Sequence, residues 1–268
     1  MPLWIYNMPD WLIGVLVVGG CMGAGVGGHV LLPTTWRHGL VREDPTLLVG
    51  LVILVSGITL GLLSLCAASS WEAATRSAQT VEREAGVIGA LGRSLGVMSQ
   101  GESSYAKEQL RAYTRSVILK EWPAMQEGRS SLATWDAFDS LFRSLAAIQP
   151  SSAGDRALMP ELWRRVHELL TLRQSRLSTS PASIPGVLWA VTATSSGLAL
   201  GLLTLLPATR MHRVSAILLS LLIGLGLTLA LSMERPFCLG ACLKPEPFET
   251  ALQRMDRWDQ KSNPVWTQ

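Results

Sequence analysis

The sequence is poor in charge. Asp, Glu, Lys and Arg make up 16% of its 268 residues, against about a quarter in an ordinary soluble domain. The formal charge of +3 is spread along the chain without a basic run, so no nucleic-acid partner is expected. A hydrophobic fraction of 48% excludes intrinsic disorder, which needs low hydrophobicity and high net charge. Cysteine is scarce. The four residues Cys21, Cys66, Cys238 and Cys242 are too scattered for a disulfide framework and lack zinc-site spacing. Phe and Tyr number only 4 and 3, yet Trp reaches 10, an excess that suits a chain straddling several water–lipid boundaries. Catalytic patterns are missing: there is no G-x-S-x-G, Walker loop or H-E-x-x-H. His167 has no obvious nucleophile partner, and Glu82 and Glu84, two apart, face different sides of a helix. Enzyme activity, cofactors and a metal site are therefore not expected.

Long uncharged runs are what the sequence does have. About 20 apolar residues suffice for a spanning helix, and four stretches qualify: Trp11 to Pro33, Thr46 to Ala68, Gly186 to Pro207 and Val214 to Met233. The first is no cleavable signal peptide, since Met1 to Asp10 carries no basic residue and a second span follows at once. The links Thr34 to Pro45 and Ala208 to Arg213 are short, so the spans form two antiparallel hairpins. The fold class expected is an all-α membrane protein, two transmembrane helical hairpins flanking a four-helix extramembrane insert. Residues 1–70 form the first hairpin, 71–185 the insert, 186–233 the second hairpin and 234–268 an extramembrane tail. Apolar periodicity places the insert helices at 71–99, 103–126, 131–148 and 156–178. The first continues the second span without a Gly or Pro break, as one rod. Pro236, Pro245 and Pro247 make the start of the tail extended. Arg37, Arg42, Arg210 and Arg213 concentrate positive charge in the short links. By density that leans the insert and termini toward the periplasm of a bacterial inner membrane.

Small residues mark the spans. Gly19, Gly23 and Gly27, with Gly20, Ala24 and Gly28 beside them, repeat the small-xxx-small pattern of close helix packing. In the second span Gly50, Gly57, Gly61, Ser64 and Ala68 share one face, either as another helix interface or as the narrow lining of a pore in an oligomer. His29 is the only ionisable side chain other than thiols within a span, close enough to its end to reach headgroups. Cys21 and Cys66 read as buried small apolar residues. Cys238 and Cys242, four apart in the tail, are a disulfide candidate if that face lies outside the inner membrane. Arg164, Arg165, Arg173 and Arg176 precede the third span. They form either a solvated face touching headgroups or a basic vestibule concentrating anions.

Several strings agree with one family and keep its order. They are NMPDWL (Asn7 to Leu12), WEAATRSAQTVEREAGVIGALGR (Trp71 to Arg93), EWPAM (Glu121 to Met125), ERPF (Glu234 to Phe237) and PEPFE (Pro245 to Glu249). Modest singly and specific together, they make the chain resemble the bacterial bestrophin-like domain family, two hairpins around a helical insert. CLGAC after Phe237 departs from the pattern, where a shorter, cysteine-free turn is expected. The resemblance extends to bestrophins, pentameric anion channels with a pore through the second span and a cytosolic helical domain. It thus implies a homo-oligomer, a pentamer by analogy, and small anions such as chloride. It also implies a cytoplasmic insert, opposite to the charge density. It carries over no residue as an ion ligand.

Two functions follow as expectations: a homo-oligomeric channel with the second span lining its pore, or a membrane-anchored scaffold or sensor whose insert binds a partner protein. Both rest on hydrophobic helices lying in lipid. The expressed chain should therefore sediment with membranes and enter solution only with detergent. Recovery of folded protein in the aqueous fraction would refute both.

Overall fold

The computed structural model describes residues 9–31, 45–98, 102–179, 186–206, 209–233 and 243–262, and all regular structure among them is helical. The chain divides into two compact units, Met1–Ala74 with Ala182–Arg235, and Thr75–Pro181 with Pro236–Gln268.

The first unit holds α1 (Asp10–Leu31), the beginning of α2 (Pro45–Val97), α7 (Gly186–Leu205) and α8 (Arg210–Met233). Nothing in an acyl-chain environment can hydrogen-bond an exposed amide, so uncharged runs of this length are stable there only with their backbone bonds closed internally, as helices. Helices α2, α7 and α8 are long and apolar enough to cross a membrane, and α1 adds a shorter apolar stretch, Trp11–Gly27. Helix α8 takes Arg210 and Arg213, expected in the connecting link, into its first turn. The buried face of α2 is Val52, Ser56, Thr59, Leu63, Cys66 and Ser70, three or four residues apart. It meets α7 partly through polar groups. Thr59 Oγ1 donates to Val55 O at 2.8 Å and lies 3.2 Å from Ser195 O, and Cys66 Sγ is 3.4 Å from Thr192 Oγ1.

Helix α1 packs on α8 and α7. The close approaches are made by glycines outside the expected rows. A Cβ on Gly224 would stand 2.9 Å from Val18 Cα, one on Gly25 3.1 Å from Ser220 Cβ, and one on Gly14 3.2 Å from Thr228 Cγ2. By contrast Gly19, Gly20, Gly23 and Ala24 are exposed, and a Cβ on Gly19, Gly20, Gly23 or Gly27 would meet nothing within 4 Å. Among the described residues, Gly19, Gly20, Gly23, Ala24 and Gly27 therefore make no close helix contact of the kind expected for those rows. A four-residue repeat smooths a helix face, but which smooth face meets a neighbour depends on the partner helix.

The second unit contains the rest of α2, α3 (Glu102–Ser116), a π-helical turn (Val117–Glu121), α4 (Trp122–Gln126), α5 (Leu132–Ala146), α6 (Ala153–Thr179) and α9 (Glu246–Ser262). Its core draws Ile88, Leu91 and Leu95 from α2, Leu110 and Tyr113 from α3, Phe138 and Leu141 from α5, and Val166 and Leu169 from α6. The helix expected over 103–126 is interrupted. Pro123 has no N–H for the Leu119 carbonyl, and its ring crowds that carbonyl in an α-turn. The backbone widens instead, and the Trp122 N–H reaches Val117 O, five residues back. Helix α6 opens with a reciprocal cap: the Asp155 N–H donates to Ser152 Oγ at 2.9 Å, and the Ser152 N–H to Asp155 Oδ2 at 3.1 Å.

The tail departs most from expectation. Pro236 lies outside the described residues, but Pro245 and Pro247 do not hold the chain extended: Pro245 O accepts the N–H groups of Phe248 and Glu249 at 2.9 and 3.2 Å. Pro247 falls in the first turn of α9, where a missing donor costs nothing. Phe248, Ala251 and Met255, at helical spacing, are buried in the core of the second unit. Lys107 binds Asp259 at 3.1 Å and Arg111 binds Asp256 at 3.2 Å, tying α9 to α3.

Gly224→Leu should lose about 1–3 kcal/mol through overpacking against α1, read as a lower Tm in detergent. Gly61→Leu, whose Cβ meets nothing within 4 Å, should leave Tm unchanged. Equal effects would refute the assignment of the close contact.

Candidate functional site

Two arginines lie in the hydrophobic interior of the second unit. Arg173 and Arg176, three apart on α6, present their side chains to one face, and both are 0% exposed. A lone buried charge is strongly unfavourable, and here each is neutralised. Arg176 donates to Glu84 of α2 through Nε at 2.6 Å and Nη2 at 3.1 Å, and Nη2 also reaches Glu121 Oε2 at 2.8 Å. Arg173 grips Glu121, at the end of the π-turn, through Nη2 at 2.5 Å and Nε at 3.2 Å. Tyr113 Oη of α3 donates to Glu84 Oε1 at 3.1 Å. The result is a charge-balanced chain from Tyr113 through Glu84, Arg176 and Glu121 to Arg173. Aromatic rings close it off. The Arg173 guanidinium stacks 4.0 Å from the Trp135 ring centre and Arg176 lies 5.5 Å from that of Phe248. Arg173 Nη1 alone has no hydrogen-bond acceptor among the described residues.

Burial opposes the charge on Arg176, but the Glu84 carboxylate outweighs it and holds the guanidinium even more firmly protonated than usual. Burial first, and then Glu84, push the Tyr113 phenol well above its ordinary value, so it remains a donor. The arrangement is closed: both carboxylates are occupied by arginine forks. It can clamp four chain segments, α2, α3, the π-turn and α6, and it offers no free base or nucleophile.

The four arginines, expected as either a solvated face or a basic vestibule, thus separate. Arg173 and Arg176 are buried and neutralised, so neither lies on a solvated face. Arg164 is exposed and Arg165 half-buried, and both are ion-paired to Glu161, at 2.7 and 2.6 Å. The Arg164 hydrogen bond, joined by that of Arg165, lowers Glu161 to about 2. As the spacing requires, Glu84 is buried while Glu82 is exposed.

Gly50, Gly57, Gly61, Ser64 and Ala68 are all exposed, on the side of α2 opposite Val52, Thr59, Leu63 and Cys66. A Cβ on any of the three glycines would meet nothing within 4 Å. Large apolar residues flank this face, Ile53 and Leu54 on either side at 67% and 59% exposure. Cys21 and Cys66 are buried free thiols. The surroundings of Gly28 and His29, and Cys238 and Cys242 altogether, lie outside the described residues.

Sequence reasoning missed the carboxylates. Glu121 stood only in a family string, and Glu84 was read by its face alone. The available signal was a pair of arginines three apart on a helix whose remaining face is apolar. It also missed the hydroxyls of the first unit: Ser56, Ser70, Ser196 and Ser220 are buried with no hydrogen-bond partner for Oγ among the described residues. No group of three or more His, Cys, Asp or Glu among the described residues could hold a metal ion.

The model of the Bestrophin-like domain matches residues 19–248, a stretch that takes in parts of both units. No curated protein and no solved structure gives a significant match.

Glu121→Gln should destabilise the protein by about 3–5 kcal/mol, because it strands the Arg173 charge in the core. Arg143→Gln, at an exposed position, should stay within about 0.5 kcal/mol. Thermal melts in detergent compare them, and equal melts would contradict the clamp. Glu161 should titrate near 2 in a carboxyl NMR titration. Its folded pKa is depressed, so its ion pairs contribute above the ordinary carboxylate pKa and are lost as pH falls toward 2. Arg164→Gln should raise that pKa toward the ordinary range.

Proposed function

The chain belongs to the Bestrophin-like domain family, and from that premise we propose that this membrane protein is a homo-oligomeric channel for small anions such as chloride in a bacterial inner membrane. One observation carries the reading. The small-residue face of α2, Gly50 to Ala68, is exposed and its glycines meet no neighbour among the described residues, although it lies on a helix long enough to span. A ring of subunits, a pentamer by analogy with bestrophins, would bring these faces around a narrow, uncharged path. Such a path could gate by dewetting. Of the four vestibule candidates, Arg164 and Arg165 alone have side chains that reach solvent, and both are paired to Glu161.

A membrane-anchored scaffold is the second reading. Leu119 within the π-turn and Leu132 at the start of α5, 71% and 80% exposed, are apolar side chains that such a partner could cover.

Purified oligomer in planar bilayers should pass chloride in preference to potassium. Gly57→Leu and Gly61→Leu should change unit conductance while leaving assembly and Tm intact, since each fills open space. Correctly assembled protein that stays electrically silent would refute the channel, and a monomer in detergent would refute the ring.

A further inference from the structure

Within the second unit, α2 and α9 border a groove of about 600 Å³, within the range of small-molecule sites. Its floor is small. Gly86 and Gly89 lie at its base, and a Cβ on either would meet nothing within 4 Å, so the space beside α2 is open. Its walls are cationic. The Arg93 guanidinium lies 4.6 Å from the Trp258 ring centre, a stack that fixes the plane of its fork. Arg254 stands one helical turn before Trp258 on the same wall. A second concavity adjoins, lined by Arg93, Arg254, Arg257 and Trp258.

The pairing of these arginines decides what the groove suits. Arg111, Arg164, Arg165, Arg173 and Arg176 are each held by a carboxylate. No ion pair engages Arg93, Arg254 or Arg257 among the described residues. Arg93 and Arg254 line the groove itself and Arg257 joins them around the adjoining concavity, and unpaired guanidinium groups around a concavity focus positive potential into it. The arginine fork matches phosphate oxygens two at a time. Glu82 and Glu246 also line the groove. A bare polyanion along its whole length would meet them, whereas a hydroxyl-bearing body could donate to them.

We infer that the groove between α2 and α9 binds a phosphorylated small molecule with a hydroxyl-bearing body, its phosphate held by Arg93 and Arg254 beside Trp258. A free phosphorylated metabolite and a phospholipid headgroup share that chemistry. The site is separate from the small face on α2 from Gly50 to Ala68 and does not depend on the channel reading.

The test is calorimetric titration of the full chain in uncharged detergent. One arm uses ATP, and the other uses the water-soluble lipid dihexanoyl phosphatidylglycerol. Arg93→Gln with Arg254→Gln removes the charge. Gly86→Leu fills the floor with the charge intact, and Arg143→Gln controls for loss of any arginine. At least one probe should bind saturably, about tenfold or more weaker in both groove variants and unchanged in the control. ATP would identify a soluble source, and the lipid a headgroup. Lack of saturable binding by either probe would overturn the site. So would binding that Gly86→Leu leaves intact, since that is general charge attraction rather than a fitted groove.

Discussion

Burying charge in an apolar interior is the constraint around which the helical insert is organised. Arg173 and Arg176 are tolerable there only while Glu84 and Glu121 stay within hydrogen-bond reach. The two carboxylates arrive on different elements, one on α2 and one at the end of the π-turn. Displacing either would uncover a charge that water cannot reach, a cost of several kcal/mol. A purely apolar interior of similar volume is often as stable or more so. The ionic chain joins α2, α3, the π-turn and α6, and the π-turn beside Pro123 sets the azimuth at which Glu121 enters it. An uninterrupted α-helix past Pro123 would carry Glu121 on a different azimuth.

The membrane unit meets the opposite constraint. Lipid gives two apolar helices little reason to associate, so contact must come from close packing and from polar groups that lipid cannot satisfy. Gly25 against Ser220 and Gly224 against Val18 provide the first. Thr59 with Ser195, and Cys66 with Thr192, provide the second. Among the described residues, Gly19, Gly20, Gly23 and Ala24 of α1 and the small face of α2 from Gly50 to Ala68 remain exposed, and the latter is the surface that the proposed assembly would use. Helix α2 belongs to both units, so Glu84 and the small face occupy one continuous element.

Legibility differed by kind of signal. The apolar spans were readable because the cost of charge in lipid applies residue by residue. The insert helices at Leu132–Ala146 and Ala153–Thr179 were readable from apolar periodicity, to within three residues. The π-turn was not, although Pro123 marked it. The role of the tail was not either: three prolines masked a following amphipathic stretch whose Phe248, Ala251 and Met255 had the spacing of a core face. Among the candidate residues, Gly50, Gly57, Gly61, Ser64 and Ala68 are all exposed on α2, but their spacing could not say what they do, because the same spacing serves a helix interface and a pore wall.

The sequence by itself determined the helical, membrane-embedded class, the insert between two apolar pairs and the family, since each follows from local composition or from ordered strings. Only the tertiary structure decided which glycines touch and which arginines are buried. It also decided which carboxylates neutralise them and that the tail completes the core of the insert. These are questions of which face meets which. An arginine in an amphipathic helix has the same local sequence whether its partner is water or a glutamate some fifty or ninety residues away.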